Sequence, residues 1–311
     1  MSMERQAPVI AEMAERFSVE TGDGWLLDVL HIPAAGEVRG AILVGHAMMV
    51  DRRSLDRPAG AGMLSFLASK GWHVYAPDLR GRGASGPTVR EGGNWSYDAL
   101  VRFDLPACLA AVRARCSDVP VVVLGHSLCG HVSIASAGTG CYGRQPDAHV
   151  LLSANMWAPS LEESPWMRLR KDLACRLLAL VSRVFGRFPA RLFRVGPVDE
   201  AGSYISDLVR FWREDRWVSA DGSLDYMTAM SEVKGPVLAL IGQGDRFLAH
   251  PVGAQRWSER IGTGDVDFRV LSCGDLGLEF DPDHMALATD LRSRPIWQEI
   301  DRWLSDRIAA L

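Results

Sequence analysis

The run Val121-Val122-Val123-Leu124-Gly125-His126-Ser127-Leu128-Cys129-Gly130 constrains the fold more than any other stretch of this chain. Four apolar residues, three of them β-branched, read as a buried strand. A glycine, a serine flanked by small positions and a helix-compatible segment follow at once. That order lifts one hydroxyl onto a sharp strand-to-helix turn, the nucleophile elbow. The strained serine backbone brings strand and helix together, so the positions two before and two after it must be small. Gly125 and Cys129 occupy them. The pattern is Gly-x-Ser-x-Cys-Gly, with cysteine where the usual motif carries a second glycine.

Around the elbow, short apolar strands alternate with helical segments, which predicts a mostly parallel sheet flanked by helices. Strands are expected over 25–32 (early and antiparallel), 41–44, 72–76, 121–124, 150–154, 236–241 and 268–271. Helices are expected over 62–69, 104–116 and 297–310. From about 157 to 233 strand alternation gives way to Trp, Arg and Leu. The division expected is a core of residues 1–155 and 234–311 with a helical cap (lid) inserted over 156–233.

Composition narrows the partners. The chain has 311 residues, 48% hydrophobic and 23% charged, as an ordinary globular protein does. A formal charge of −4 argues against nucleic acid, which calls for a basic field. The opening Met1-Ser2-Met3-Glu4-Arg5-Gln6 lacks the basic and apolar regions of a secretory signal. No apolar run is long enough to span a bilayer, so no stable membrane insertion is expected. Cys108, Cys116, Cys129, Cys141, Cys175 and Cys273 are scattered without a Cys-x-x-Cys pair, as reduced thiols of a cytoplasmic protein would be. No His and carboxylate cluster has metal-ligand spacing, and Gly81-Arg82-Gly83 does not open a dinucleotide site. Neither cofactor nor metal is expected.

A serine hydroxyl needs a base, and the base needs an orienting group. In this kind of sheet the order is Ser, acid, His, on loops at the carboxyl ends of later strands. Ile241-Gly242-Gln243-Gly244-Asp245 places an acid just past a strong strand, whereas the strand near Ala154 offers only Asn155. Asp245 could instead merely cap the helix after it. Of the eight histidines only His250 and His284 follow Asp245. His250 shares its loop, while His284 sits after the last strand and is favoured as the base. His31, His73 and His149 read as structural, and His126 and His131 as packing beside the elbow. Two backbone N–H groups should hold an oxyanion: Leu128, at a helix N-terminus, and Met48, after the 41–44 strand.

With these residues assembled, the chain resembles the α/β-hydrolase superfamily, in particular its lidded esterase, lipase and monoacylglycerol-lipase-like members. Four landmarks carry the resemblance: Gly45-His46-Ala47-Met48, Asp78-Leu79-Arg80-Gly81-Arg82-Gly83-Ala84-Ser85, the elbow, and the paired Asp245 and His284. Ala47 stands where the family's oxyanion loop has glycine, and Cys129 where its elbow does. Cys129 is expected to point back into the helix–sheet packing. The resemblance implies an α/β-hydrolase fold and a serine hydrolase that cleaves a carboxylic ester or thioester through an acyl-enzyme.

His46, Met49, Trp157 and Phe247 are expected to contact the substrate, a small molecule of medium size and mostly apolar character. The segment from Met167 to Arg194 is rich in Arg and Leu, with Asp172 its single acid. It reads either as helices with Leu inward and solvated Arg outward, or as a cationic amphipathic surface for anionic lipid, an acyl carrier or an acidic substrate. Trp157, Trp166, Trp212 and Trp217 read first as core. Rival readings are lactone opening, carbon–carbon bond hydrolysis or perhydrolysis on the same triad, or an inactive hydrolase-fold binding protein. The sequence leaves the oligomeric state open.

Overall fold

A computed structural model of the chain describes residues 13–308. The strands are Glu15–Glu20 (β1), Leu26–Ile32 (β2), Gly40–Gly45 (β3), Trp72–Pro77 (β4), Val121–His126 (β5), Ala148–Leu152 (β6), the short pair Arg187–Phe188 (β7) and Glu200–Ala201 (β8), Val237–Gly242 (β9) and Val266–Leu271 (β10). Eight of them form one sheet in the order β1-β2-β4-β3-β5-β6-β9-β10. The β1–β2 and β2–β4 pairs are antiparallel and every pair from β4 to β10 is parallel. Strands β3, β5, β6 and β9 are buried along their whole length, the signature of a parallel sheet covered on both faces. Strand β1 has no counterpart in the sequence reading. Its residues are mostly exposed, so no apolar run marked it.

The principal helices are Met63–Ser69 (α1), Leu105–Arg115 (α2), Leu128–Gly138 (α3), Pro165–Phe185 (α4), Gly202–Glu214 (α5), Pro251–Ser258 (α6) and Arg294–Ile308 (α7). Helices α1 and α7 cover one face of the sheet through Leu64, Phe66, Trp297 and Ile300. Helices α2 and α3 cover the other with Leu105, Val132 and Ala135. Helix α2 buries Leu105, Cys108, Leu109 and Val112, the i, i+3, i+4, i+7 stripe of a surface helix. It continues from a turn at Tyr97–Ala99 and a π-helical turn at Leu100–Asp104, neither of which its periodicity signals. The last helix begins three residues before the expected 297 and is described to Ile308; its expected extension to 310 lies outside the described residues.

Between β6 and β9 the chain leaves the sheet, through α4, the β7–β8 pair, α5 and a turn at Tyr226–Ala229. Helix α4 starts at Ser164, whose hydroxyl accepts the Met167 N–H, has Pro165 in its first turn, and ends at Gly186 in the left-handed region (φ 69°). Its burial reverses the simpler sequence reading. Met167, Lys171, Cys175 and Ser182 face inward, while Trp166, Leu169, Leu173, Leu177, Leu180 and Val184 face solvent. Trp166 is therefore not a core residue, whereas Trp212 and Trp217 are. Lys171 takes an inward position because Glu162 is buried beside it and pairs with its ammonium.

Candidate active site

Ser127 stands at the junction of β5 and α3 with φ 50° and ψ −107°, a conformation that costs about 1–3 kcal/mol and persists only where surroundings enforce it. The enforcement is steric. A side chain on Gly125 would overlap the Gly130 and Cys129 backbone, and one on Gly130 would overlap Ala154. Cys129 is wholly buried and its side chain fills the room that Gly45 leaves on β3. Burial pushes its thiol well above the ordinary range, so it stays protonated and packs. Gly45 and Gly130 are thus as necessary to the turn as Gly125, a requirement that the two-before, two-after rule overlooks.

The loops after β9 and β10 bring two further side chains to Ser127. His284 Nε2 lies 2.8 Å from Ser127 Oγ, and His284 Nδ1 lies 2.6 Å from Asp245 Oδ2. Asp245 also accepts the Leu248 and Ala249 N–H groups, at 3.0 Å each. Burial alone would raise its pKa; the His284 hydrogen bond and charge, with the loop N–H groups, outweigh burial and hold it below the usual carboxylate range. Asp245 thus stays ionised beside an Nδ1–H donor, which leaves Nε2 free to accept from the serine hydroxyl. His250 instead forms the N-cap of α6.

His126 has a part that sequence reasoning missed. Its Nε2–H donates to the His284 carbonyl at 2.8 Å, fixing the backbone that carries the imidazole. Burial and the neighbouring His284 lower its pKa to about 3, so it remains a neutral donor. His131 is held by the Tyr97 hydroxyl at 2.9 Å, and burial lowers it likewise to about 3.

The residues expected to form an oxyanion loop follow β3 and lie beside the Asp78 turn. His46 is a correction to the expected substrate contacts. It is fully buried, its Nδ1 donates to the Ala47 carbonyl at 2.7 Å, and its Nε2 accepts the Leu79 N–H at 3.2 Å. It braces two loops and has no face left for a ligand. Met48 is half-buried, as is Met49, which has φ 60°. Glu200 of β8 reaches in to accept the Met49 N–H at 2.6 Å, and the Met49 carbonyl accepts the Val198 N–H at 3.0 Å. The other Glu200 oxygen pairs with Arg82 at 2.6 Å, and both side chains are fully buried. Leu128 is the first residue of α3, so its N–H has no acceptor within the helix.

Trp157 follows β6 and Phe247 follows β9, neighbouring strands of the sheet. Their rings meet edge to face, centroids 5.2 Å apart, and the Trp157 Nε1–H donates to the Leu248 carbonyl at 2.7 Å. Leu128, Met156, Leu161, Phe188 and Tyr204 share one apolar cluster, against which Met48, Met49 and Trp157 pack half-buried.

The family model described as serine aminopeptidase, S33, matches residues 36–274, most of the chain. The chain belongs to this hydrolase family. Triacylglycerol lipase 2 of Arabidopsis thaliana is 33% identical over 137 residues, covering 39% of this chain and 32% of the relative. A lysophosphatidylserine lipase of Rattus norvegicus is 26% identical over 221 residues, 71% of this chain and 44% of the relative. The chain spans less than half the length of these two curated relatives. A soluble variant of monoglyceride lipase from Saccharomyces cerevisiae superposes with a TM-score of 0.66 at 15% identity, covering 93% of this chain and 94% of that one. An esterase of Pyrococcus furiosus gives 0.61 at 17% identity, covering 94% and 90%. The fold is the α/β-hydrolase fold, and the sheet order and the loops at the carboxyl ends of its strands agree with it.

Proposed function

We propose that this family member hydrolyses a carboxylic ester or thioester through an acyl-enzyme on Ser127. The observation that carries the reading is the unbroken line from Ser127 Oγ through His284 to Asp245, 2.8 Å and then 2.6 Å. His284 Nε2 takes the hydroxyl proton as Ser127 Oγ attacks the substrate carbonyl. The ionised Asp245 stabilises the imidazolium that results. The oxyanion is held by the Leu128 and Met48 N–H groups, the first aided by the positive end of α3. As the tetrahedral adduct collapses, the imidazolium protonates the departing alcohol or thiol. Water then enters, His284 takes one of its protons, and attack on the acyl-enzyme releases the acid and restores the serine hydroxyl.

Residues 156–233 serve in this reading as a lid over the elbow. The apolar cluster around Leu128, with Met49, Trp157 and Phe247 beside it, supports a medium-sized and mostly apolar acyl group. The lipases among the curated relatives support the same class of small-molecule substrate. Six free thiols support a reducing, cytoplasmic setting.

Two measurements test the proposal. A fluorophosphonate probe labels the protein and fails to label Ser127→Ala. A panel of p-nitrophenyl esters with acyl chains of roughly two to twelve carbons, the span such pockets accept, is turned over, with aminoacyl nitroanilides as the peptidase control. Absence of labelling, or inactivity across the whole ester panel, refutes the assignment.

A further inference from the structure

The outer face of α4 has no use in the chemistry above. Trp166, Leu169, Leu173, Leu177, Leu180 and Val184 are between 57% and 70% exposed, spaced three or four residues apart. At about 100° per residue they fall within an arc of roughly 80°, and from first to last they run roughly 27 Å along the helix. Such a stripe is costly to leave in water, and soluble monomers seldom expose one. Leu192, Phe193 and Val195, in the loop joining β7 to β8, add three more exposed apolar side chains.

Charge frames this surface. Residues 164–198 contain seven arginines and one lysine against a single acid, Asp172, in a chain whose formal charge is −4. Arg168, Arg170, Arg176, Arg183, Arg191 and Arg194 are exposed, although Arg176 pairs with Asp172 at 2.7 Å and Arg168 donates to the Glu162 carbonyl at 2.8 Å; the lysine is buried with Glu162. The six charged residues of α4 rule out a spanning helix, and no helix among the described residues is long and apolar enough to cross a membrane. We propose that α4 lies in the plane of an anionic lipid surface, its leucine stripe at the acyl boundary and its arginines among the headgroup phosphates. An apolar stripe with Arg170 at one margin and Arg176 and Arg183 at the other matches that medium. An acidic carrier protein would meet the arginines and leave the leucines uncovered. The docking is independent of the catalytic assignment, since it uses neither the elbow nor its loops.

The test is co-sedimentation of the full chain with vesicles of phosphatidylcholine alone or with one third phosphatidylglycerol. Binding to the anionic vesicles is expected, and about tenfold or more weaker binding to the neutral ones or in high salt. Leu169→Ser/Leu173→Ser/Leu177→Ser should lower partitioning about 100-fold or more. Hydrolysis of a soluble short-chain ester should stay within about twofold, since these side chains face away from the elbow. Should that variant fold poorly, Arg176→Glu/Arg183→Glu provides a second reading, with a loss of about 25-fold or more on anionic vesicles, at roughly fivefold per charge. Equal binding by the serine variant overturns the proposal. So does a wild-type chain that ignores vesicles, including one that dimerises in sedimentation equilibrium until the serines are introduced, which would assign the stripe to a second copy.

Discussion

Glu200→Gln is the substitution that tests how the inserted segment serves the chemistry. Glu200 is fully buried, accepts the Met49 N–H at 2.6 Å and pairs with a fully buried Arg82 at 2.6 Å. Glutamine keeps the shape and one acceptor but sets its amide N–H against the guanidinium. Breaking a buried pair from one side costs about 3–5 kcal/mol, and a hydrogen bond to a charged acceptor contributes about 1.5–3 kcal/mol. Retaining one acceptor puts the expected stability loss near the lower bound, about 3 kcal/mol, or roughly 6–12 °C in Tm. The kinetic consequence is separate. Met49 directly follows Met48, the proposed oxyanion donor, and complete loss of one such donor costs about 10²–10³ in kcat. A donor displaced and not deleted should cost about 10–100-fold, with KM changing less than about threefold. The assay is p-nitrophenyl butyrate turnover well below the variant's Tm, with active sites counted by fluorophosphonate titration so that unfolded protein is not scored as slow enzyme. A kcat per labelled site within twofold of wild type, alongside the Tm loss, would mean that Glu200 only pins the segment down.

Three further outcomes follow from the same geometry. Asp245→Asn removes the charge that holds His284 with Nε2 free, and kcat should fall about 10⁴-fold with little change in fold, as read by single-turnover kinetics and circular dichroism. His46 and His149 have pKa values lowered to about 4, and His126 and His131 to about 3, all by burial first. Their folded pKa values lie below the unfolded value near 6.5, so stability is complete above that pH and is lost as pH falls toward 3–4. Each contributes about 2 kcal/mol of loss between pH 6.5 and 5, so Tm should drop steeply over that interval, and a flat Tm from pH 7 to 5 would refute the burial argument. Gly45→Ala drives a methyl into Cys129 and should destabilise by about 1–3 kcal/mol; Cys129→Gly should recover most of that in the double variant, measured by urea unfolding.

How much was legible in the sequence depended on whether a feature was local. The strands β3, β4, β5, β6 and β9 announce themselves as short apolar runs, because parallel strands are buried on both faces. Ser127 and Asp245 are legible because each sits just past such a strand, and His284 because it is in the loop after the last strand; the structure brings their side chains together. Strand β1 was not legible, since only Val19 of its six residues is buried and pairing with β2 along backbone groups supplies the order. Nor was Glu200, an ordinary acid in a two-residue strand until Arg82 and Met49, both more than 100 positions away, come to it. The α4 stripe was visible as leucines at helical spacing, but periodicity gives the face and not its direction. Lys171 decided the direction, because Glu162 draws it inward and turns the leucines out.

The two departures from the family's usual glycines are accommodated by their surroundings. An oxyanion hole is made of main-chain N–H groups, so what matters at Ala47 and Cys129 is whether their side chains can be stowed without moving the backbone. Cys129 is stowed because Gly45 on the facing strand has no side chain, so volume lost at one position is regained at its neighbour. Ala47 is buried, its carbonyl takes the His46 Nδ1–H, and the next turn is held from the far side by Glu200 and Val198. The loop's conformation therefore rests on partners outside itself. A glycine there would be free to move and would need those anchors as well, whereas alanine has less freedom to lose. The same anchors tie the loop to the segment that carries α4, because Glu200 lies in β8, which follows α4 and pairs with β7.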